Sequence, residues 1–568
     1  MYHGGVFALA WLKQSNQLVR HLSLQSTARL SYARHLSCAH QTGGMRAMAT
    51  SAREPHVKKR VVAGSFIFKI PNGDEKQAKV ALFRRSSKVS TYQHKLAPCS
   101  GSVEESDASP LDAALREIEE ETRLPASSLD LLRVGKPYSF SDESINRVWN
   151  INPFAFRLKD VAEGGKGEEG ITLDWEHDGI EWFDPMQVNG SDEFGGVPRL
   201  VDSLRRVWPE YDLGADAARI LTDGLQTLRD DHERGARELA GVAVSTLRDV
   251  IRQMLLSHPI DEDSWSKVRM AAWHICQSRP SMGAAITSAI IKALYAIKPI
   301  YTAEMIAAIK TTRITQLLEE QLAQRYSTTD RIYLSFVDYV RQNVLRGEES
   351  KQSISVLTLS SSSTITSCLL KAAACLGVGL DLHILESRPL FEGVAPASRI
   401  LKETPQSPDI KITLYSDASA ALAARNVDLV LLGADRISSA GDVSNKIGSL
   451  PAVLSARHVA PNAKVLVLSD TEKIAGPGST GEHVSEQNSP RELTRAWKGV
   501  VSGAQVIENA LSQNDPKISV KNVYFEWVPA GLIDAYITED EDGVLTTEQI
   551  RHKSEWIGNE IEQFFGGL

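Results

Sequence analysis

The chain has 568 residues, which at about 150 residues per domain suffices for three or four folded units. Its 42% hydrophobic, 24% charged and 7% aromatic residues exclude a wholly disordered, collagen-like or coiled-coil protein, and no uninterrupted apolar run of about 18 residues predicts a membrane span. The 63 basic and 71 acidic side chains give a net charge of −8, which argues against direct nucleic-acid binding. Five scattered cysteines without metal-ligand spacing indicate a reducing compartment.

The segment from Met1 to Arg53 contains arginine, serine, leucine and alanine but no Asp or Glu. This composition is typical of a mitochondrial transit peptide, while an overextended chain whose true start is Met45 or Met48 is an equally good interpretation. We therefore expect a mitochondrial or cytoplasmic protein, and we assign residues 1–55 to a targeting or disordered segment.

The first folded region, residues 56–210, combines strands with one amphipathic helix. The helix is predicted at 111–122, and polar loops are expected at 99–109 and 163–170. This mixture predicts a compact α+β sandwich. The expected strands are β-rich runs at 61–70, 79–84, 147–158 and 179–183.

The rest of the chain divides into a helical part and an α/β part. Residues 211–350 show apolar residues at helical spacing and no run typical of a strand. Residues 351–568 alternate helices with short β-branched runs, which predicts a mostly parallel sheet covered on both faces. The expected strands of that sheet are 354–359, 381–385, 410–415, 427–432 and 464–469.

The segment REIEEET at residues 116–122 carries the densest functional signal. Positions i, i+3 and i+4 share one helix face, so Glu117, Glu120 and Glu121 are expected to project together, towards solvent and metal rather than the core. Three like charges repel unless a cation lies between them, and carboxylate oxygens suit Mg²⁺ or Mn²⁺. For the segment alone, a solvated acidic face is the alternative.

The surrounding residues 101–124, GSVEESDASPLDAALREIEEETRL, resemble the Nudix box. The family pattern is G, five residues, E, seven residues and then R-E-apolar-x-E-E-x-G-apolar. The later segment WEHDGIEW at 175–182 resembles the strand that follows this box. The resemblance covers residues 60–190. It implies an α+β Nudix domain that hydrolyses a nucleoside-diphosphate-linked compound with the help of a divalent cation.

The resemblance also implies roles for particular side chains. Glu117, Glu120 and Glu121 would bind Mg²⁺ or Mn²⁺, with the first two named as catalytic, and Arg116 would orient the first carboxylate of the box. Glu176 is a candidate general base, and a surface residue at a strand edge is an equal alternative.

Three residues depart from the Nudix pattern. Asp107 stands where the first glutamate is expected, and Ala108 makes the spacing to Arg116 one residue too long. Arg123 replaces the closing glycine. We expect these departures to leave the fold unchanged and to bear on activity.

A second candidate site follows the apolar run 427–432. Small residues after a parallel strand let a ligand approach the backbone, and ligands of open α/β sheets bind at the carboxyl ends of strands. There Asp435 is a candidate acid/base group, Lys446 a phosphate partner and Asn445 a hydroxyl or amide contact. A turn with solvated charges is the alternative for this segment alone.

Four motifs in a recurring order extend this second pattern. They are SRPSMG at 278–283, ESRPLFEG at 386–393, GADR with the later NK at 433–446, and YFEWVP at 524–529 followed by Thr538-Glu539. Together they resemble the family that joins initiation factor 2B regulatory subunits, methylthioribose-1-phosphate isomerase and ribose-1,5-bisphosphate isomerase. The resemblance runs from about residue 228 to 562.

This second resemblance implies a helical part, then a Rossmann-like part, a sugar-phosphate or nucleotide ligand, and a homo-oligomer formed by the carboxyl-terminal module. It implies that Arg279, Arg388 and Lys446 grip phosphate and that Asp435 is the acid/base group. If the three cations converge as the resemblance implies, they surround a site in which Asp435 is the only anion that the motifs name.

The isomerases of this family use a cysteine just after the first Rossmann-like strand, whereas this chain has SSSST at 360–364. Serine is a far weaker acid than a thiol, so we expect ligand binding without the standard isomerisation. The favoured hypothesis is a Nudix-type hydrolase fused to a phosphosugar- or nucleotide-binding module. The alternatives are an aldose–ketose isomerase and a non-catalytic assembly protein. No membrane partner is expected.

Overall fold

The computed structural model describes residues 58–73, 77–231, 234–256, 261–347, 351–404, 409–478, 488–513 and 515–568. The predicted targeting segment therefore lies outside the described residues. From Lys58 onward the chain forms one contact unit, in which a mixed sheet, a group of helices and a parallel sheet follow each other. The chain is thus multidomain, with helical and α/β parts.

Eight strands form the first sheet, whose central strands β1 and β7 run parallel, whereas the outer pairs are antiparallel. The predicted strands of this region are confirmed to within three residues at each end. The expected loop at 99–109 is wrong in its first part, because Cys99–Ser102 pairs with β1. The strands are β1 (Lys58–Lys69), β2 (Lys79–Arg85), β3 (Leu96–Ala97), β4 (Cys99–Ser102), β5 (Leu129–Val134), β6 (Tyr138–Asp142), β7 (Arg147–Leu158) and β8 (His177–Phe183).

Helix α1 (Pro110–Thr122) lies on one face of this sheet. Ser109 caps its first turn by accepting a hydrogen bond from the Asp112 backbone N–H, and a proline at the first helical position suits that start. Ala113, Ala114 and Ile118 are buried against the sheet. Because this face of the helix packs on the sheet, it determines which glutamates of α1 point away from the sheet.

The other face of the sheet is covered by α2 (Leu200–Arg205), and the short helix α3 (Glu210–Leu213) that follows packs Leu213 into the core of the helical part. Trp208, between them, stacks on Phe68 of β1 with ring centroids 4.7 Å apart. β5 touches the helical part directly, because the Arg133 guanidinium donates to the Thr222 hydroxyl over 3.1 Å. The first sheet is therefore packed onto the helices that follow it.

Six helices follow, and five of them share one apolar core. Pro280–Thr302 is long and apolar enough to cross a membrane by length and composition, but 72% of its most apolar window is buried in this core. The last of the six packs instead on the parallel sheet. The helices are α4 (Ala215–Asp230), α5 (Ala236–Met254), α6 (Glu262–Gln277), α7 (Gly283–Thr302), α8 (Ala307–Gln324) and α9 (Thr328–Asn343).

The second sheet contains seven strands in the order β11-β10-β9-β12-β15-β17-β18, parallel except for the last. This order matches the Rossmann arrangement 3-2-1-4-5-6 extended by one antiparallel strand. Its switch point lies between β9 and β12. The strands are β9 (Ser353–Leu359), β10 (Gly379–Leu385), β11 (Ile410–Tyr415), β12 (Leu429–Leu432), β15 (Lys464–Leu468), β17 (Ala535–Ile537) and β18 (Val544–Leu545).

A small antiparallel sheet of β13 (Arg436–Ile437), β14 (Val443–Lys446) and β16 (Phe525–Val528) extends beyond β12. The final helix leaves the parallel sheet and packs Phe564 and Phe565 into the helical core. The helices of this part are α10 (Ser363–Leu376), α11 (Val394–Glu403), α12 (Ala420–Ala423), α13 (Ser449–Val459), α14 (Pro490–Thr494), α15 (Ala504–Ser512) and α16 (Thr547–Phe565).

Candidate active site and phosphate pocket

A cleft of about 500 Å³ opens beside α1, between β4, β6, β7 and the loop that follows β2. This volume lies within the range of small-molecule sites. Three kinds of side chain line it. They are the carboxylates Glu117, Glu120 and Glu176, the cations Arg60, Arg85, Lys88, Arg116 and Arg199, and the aromatic residues Tyr92, Tyr138, Phe140, Trp149 and Trp175.

Arg116 holds the first carboxylates of the cleft in place. Its guanidinium donates to both carboxylate oxygens of Asp107, over 3.0 and 2.9 Å, and to Glu117 over 2.9 Å. The Glu117 carboxylate lies so close to Gly101 that a Cβ there would be 1.9 Å from its Oε1. A side chain at position 101 would therefore displace the Glu117 carboxylate from this position. The hydrogen bonds of Arg116 lower the pKa of Asp107.

The three candidate cation ligands, Glu117, Glu120 and Glu121, differ strongly in solvent exposure. Glu120 has a side chain 59% exposed, whereas Glu121 is 3% exposed and lies behind the helix, beside Cys99 and His177. The expectation that all three face solvent is therefore wrong for Glu121, because the helix turns it towards β4 and β8. Burial raises the pKa of Glu121 well above its ordinary value and also raises that of Glu117.

No three His, Cys, Asp or Glu side chains among the described residues are already placed around a metal position. The donor set nevertheless fits a hard divalent cation. The Glu121 Oε2 atom is buried without a hydrogen-bond partner in the described chain, and the charges of Glu117 and Glu176 both raise the pKa of Glu121. A cation would relieve this repulsion and supply the missing partner.

Glu176 and Arg85 both line the cleft, and their opposite charges affect each other's pKa. Burial raises the pKa of Glu176, with Asp174 adding to the effect, while Arg85 and Arg60 oppose it. Burial lowers the pKa of Arg85, although the charges of Glu121 and Glu176 favour its cation. Arg85 also donates to the Thr91 carbonyl over 3.1 Å, so its position is fixed.

Aromatic side chains form the wall opposite the carboxylates. Phe140 and Trp149 are paired across β6 and β7, and Tyr138 is paired with Ile151 two positions along on the same face. The Trp149 indole donates to the Tyr92 hydroxyl over 3.1 Å, and that hydroxyl donates to Asp142 over 2.7 Å. The wall is therefore held rigidly and can stack against a planar ring.

The three departures from the Nudix pattern have local explanations. Asp107 still contacts Arg116 although Ala108 lengthens the segment, because the extra residue lies in the loop before Ser109. Arg123 ends α1 with a φ of 61°, the left-handed conformation in which glycine is favoured. The hydrogen bonds of Arg116 with Asp107 and Glu117 are thus preserved in spite of the three departures.

The second candidate site lies at the carboxyl ends of β9 and β12. Lys446 is almost buried, and its ammonium is 2.9 Å from Glu392 Oε1. The Ser360 hydroxyl donates to Glu392 Oε2 over 3.0 Å. Glu392 is therefore an anion of this site that the sequence analysis did not name, and it already neutralises Lys446.

The loop that carries Glu392 is fixed by backbone hydrogen bonds. Asp417 accepts from the backbone N–H groups of Ser387 and Arg388 over 2.9 and 2.7 Å. The Ser360 N–H donates to the Ser387 hydroxyl over 2.7 Å, and a Cβ at Gly393 would be 1.9 Å from the Leu385 carbonyl. The position of Glu392 is therefore built into the fold.

The other predicted residues of this site have separate contacts. Arg279 donates to the Asp231 carbonyl, and the Arg388 guanidinium lies 5.4 Å from the Phe391 ring centroid. The Asn445 amide donates to the Ser449 hydroxyl over 2.9 Å. Burial raises the pKa of Asp435, which is the direction needed for a proton donor. These contacts do not bring the three cations together.

Cys368 cannot take the place of the absent cysteine. It is fully buried in the apolar core of the parallel sheet, and burial raises its pKa to about 12. Ser362 and Ser363 instead begin α10, where the Ser362 hydroxyl accepts from the Ile365 N–H over 3.3 Å.

Sequence reasoning missed Arg85, Tyr92, Trp149 and Glu392. Trp149 could have been found from its alternation with Ile151 in β7, which places both side chains on one face. Glu392 is part of the ESRPLFEG motif, but only the fold shows that it reaches Lys446. Arg85 is the last residue of β2 and Tyr92 lies in the loop that follows, and neither has a sequence signal.

Two family models match the chain in succession. The model described as NUDIX domain matches residues 62–204. The model described as Initiation factor 2 subunit family matches residues 232–547, more than half of the chain.

Curated relatives and solved structures also resemble the second region. The methylthioribose-1-phosphate isomerase of Vitis vinifera is 26% identical over 57% of this chain and 83% of that protein. The methylthioribose-1-phosphate isomerase of Ricinus communis is 33% identical over 31% of this chain and 43% of that protein. The crystal structure of the tetrameric eIF2B-beta2-delta2 complex from C. thermophilum is 16% identical, with a TM-score of 0.44 over 62% of this chain and 98% of that one.

Proposed function

Since the chain belongs to the initiation factor 2 subunit family over more than half its length and carries a NUDIX domain before that region, we propose that it is a divalent-cation-dependent hydrolase of a nucleoside-diphosphate-linked compound. The observation that carries this proposal is the 500 Å³ cleft, where carboxylates, cations and a rigid aromatic wall line one space. A diphosphate between a planar base and a second group has the charge and shape for these three surfaces.

Each part of the cleft has a chemical task in this proposal. Glu117, Glu120 and Glu121 would hold Mg²⁺ or Mn²⁺, which when bound supplies positive charge to the diphosphate. Arg85 binds phosphate oxygens, and Glu176 accepts a proton from the attacking water, since its raised pKa makes it a better base. Arg116 keeps Glu117 and Asp107 in position.

The second module is proposed to bind a phosphorylated sugar or nucleotide without the isomerisation that the names of its relatives describe. Ser360 supplies no acidic thiol, and Cys368 is buried with a raised pKa. A ligand phosphate would compete with Glu392 for Lys446, so we expect the pocket of Ser360, Glu392 and Lys446 to bind phosphate weakly.

Self-association through the second module is part of the proposal. Its support is membership of the family, together with exposed apolar side chains on this module such as Tyr295, Leu401 and Leu414. Light scattering of the full chain at tens of micromolar should give at least a dimer, and a strictly monomeric species would contradict it.

The hydrolase proposal is tested by a substrate screen of the full chain with Mg²⁺. Candidate substrates are nucleoside diphosphate sugars, dinucleotide polyphosphates, NADH and coenzyme A, and products are identified by phosphorus NMR. We expect Glu120→Gln to lower the rate by about 100-fold or more, because one cation-binding carboxylate is lost. Glu119→Gln is the matched control, since Glu119 is exposed on the same turn and does not line the cleft. Equal rates in both variants, or no hydrolysis with Mg²⁺ or Mn²⁺, would overturn the proposal.

A further inference from the structure

The ladder between β2 and β8 contains a β-bulge beside the Nudix cleft. Arg85 pairs with His177, and Asp178 is the extra residue on β8. Side chains alternate between the two faces of a strand, so strict alternation from Ile180, which packs on the core beneath α1, would turn Glu176 towards that core as well. The bulge reverses the alternation, so that His177 is buried beneath α1 and Glu176 lines the cleft. The direction of the candidate general base therefore depends on an irregular backbone segment, whose conformation other contacts must maintain.

Ser86, the first residue after β2, contacts this segment with both its backbone and its side chain. The Ser86 N–H donates to the Glu176 carbonyl over 2.7 Å. The Ser86 hydroxyl donates to the Trp175 carbonyl over 2.9 Å and accepts from the Lys88 N–H over 3.2 Å. The carbonyls of Trp175 and Glu176 belong to the two peptide groups that flank the Glu176 Cα atom, so Ser86 holds both backbone dihedral angles of Glu176.

Ser86 is buried, with 3% of its surface exposed, and it is not among the described residues that line the cleft. Any effect of Ser86 on a substrate must therefore pass through the residues that it contacts. Because the hydroxyl is buried, its removal leaves the Trp175 carbonyl and the Lys88 N–H without this partner where water reaches them poorly. The Asp174 carboxylate, which accepts from the Glu176 N–H over 2.9 Å, would then hold that peptide group from one side only.

We propose that Ser86 is a positioning residue of this hydrolase, which directs the Glu176 carboxylate into the cleft by holding the peptide group on each side of it. The inference rests on the proposed function, in which Glu176 accepts a proton from the attacking water. A general base works only within hydrogen-bond reach of that proton, about 2.6–3.2 Å. A small rotation of the Glu176 backbone therefore lowers the rate without removing the carboxylate.

The electrostatic surroundings of Glu176 give this role a signature that a general loss of stability would not produce. Burial raises the pKa of Glu176, the charges of Asp174 and Glu120 add to that effect, and Arg85 and Arg60 oppose it. A Glu176 carboxylate that turns towards solvent is no longer buried, so its pKa falls towards the ordinary value. The acid limb of the pH dependence of kcat, where the base becomes protonated, should then move to lower pH.

Steady-state kinetics of the full chain as a function of pH, with the substrate found in the screen, test the proposal. Ser86→Ala should lower kcat by about tenfold or more, change KM by less than about twofold and move the acid limb to lower pH. Ser86→Thr keeps the hydroxyl and should recover most of kcat. Ser87→Ala is the matched control, because Ser87 is the exposed neighbour and is not among the described residues that line the cleft. In a Glu176→Gln background, Ser86→Ala should lower kcat no further, since the two residues act as one unit.

Hydrogen exchange of the full chain measures the same contacts without any substrate. We expect the backbone amides of residues 174–178 to exchange about tenfold faster in Ser86→Ala than in wild type, with the rest of the chain unchanged. Ser87→Ala and Glu120→Gln should exchange like wild type in this segment.

Three results would overturn the role of Ser86. They are unchanged exchange at residues 174–178 in Ser86→Ala, faster exchange throughout the chain, and a loss of kcat that stays the same in the Glu176→Gln background. A Ser86→Ala enzyme with wild-type kcat, beside a Glu120→Gln enzyme that has lost its activity, would overturn this role alone and leave the hydrolase proposal intact. Absence of hydrolysis by the wild type would overturn both.

Discussion

The Nudix cleft and the pocket of Ser360, Glu392 and Lys446 both gather charged side chains at positions that sequence motifs single out, but they pair those charges differently. Beside the cleft, Glu121 Oε2 has no hydrogen-bond partner in the described chain, although His177 Nε2 is 3.7 Å away, and the Glu120 side chain is 59% exposed. In the pocket, Glu392 already joins Lys446 and Ser360. A charged motif is therefore stronger evidence for a ligand where the fold leaves one of its buried polar atoms without a hydrogen bond, as at Glu121 Oε2.

The largest expected effect concerns the network that positions the cleft carboxylates. Arg116→Lys removes the forked contact with Asp107, which an ammonium cannot reproduce. We expect hydrolysis of the substrate found in the screen to fall by about 100-fold, with a smaller change in KM, because Glu117 loses its fixed position. Steady-state kinetics of both proteins give this comparison.

Arg84→Lys is the control for this change. Arg84 also forms an ion pair, with Glu181 over 2.6 Å, but it does not line the cleft. An Arg116→Lys enzyme as active as Arg84→Lys would show that Asp107 and Arg116 do not support catalysis.

The second prediction concerns the ion pair between Lys446 and Glu392, which a single substitution can remove. Glu392→Gln removes the anion beside Lys446 but keeps an oxygen that can accept from Ser360. We expect inorganic phosphate to bind about tenfold more tightly, because it no longer competes with a carboxylate. Isothermal titration of wild type and Glu392→Gln with inorganic phosphate measures the difference.

Glu403→Gln serves as the control, because Glu403 is exposed at the end of α11 and pairs only with Arg399 among the described ion pairs. Unchanged phosphate affinity in Glu392→Gln would mean that Glu392 is not what limits binding at Lys446.

A third prediction concerns the contact between the two regions. His274 is 4% exposed, burial lowers its pKa well below the ordinary value, and the charge of Arg133 adds to that effect, whereas a hydrogen bond with the Arg206 backbone opposes it. The folded state therefore resists protonation, and its stability should be lost as the pH falls below the unfolded value of about 6.5. By pH 5.5 this loss is about 1 kcal/mol.

His274→Gln should remove that part of the acid sensitivity, since glutamine does not titrate. Urea unfolding at pH 7.5 and pH 5.5 measures the difference, with the exposed His552→Gln as control. An equal pH dependence in wild type and His274→Gln would assign the acid sensitivity to other groups.

The smallest expected effect concerns Arg123, which stands in place of the closing glycine of the Nudix pattern. Arg123 adopts a left-handed φ of 61°, so Arg123→Gly should raise the free energy of unfolding by about 0.5 kcal/mol after the added flexibility of the unfolded chain is subtracted. Asn146→Gly, at a φ of 48°, should gain less, because asparagine tolerates this conformation. A destabilised Arg123→Gly would show that the side chain itself contributes to packing.

The fold was largely predictable, and the contacts of the sites were not. Helix α1, four strands of the first sheet and five of the second follow from apolar periodicity, which reports burial directly. The other strands of these sheets, β3 to β6, β17 and β18, were not predicted. Glu121 was misplaced because the i, i+4 rule gives a shared face without saying how far that face turns towards the sheet. Glu392 escaped prediction because its partner Lys446 lies far along the chain, where only the three-dimensional fold joins them.

The return of α16 to the helical core has a consequence for synthesis on the ribosome. Phe564 lies 6.2 Å from the ring centroid of Trp265, and its carbonyl accepts from Arg269, which precedes it by 295 residues. At translation rates of about 5–20 residues per second, the helices wait roughly 15–60 s for their last two phenylalanines. During that interval Trp265 lacks its contact with the Phe564 ring, so the core of the helical part is completed only after residue 564 has been synthesised.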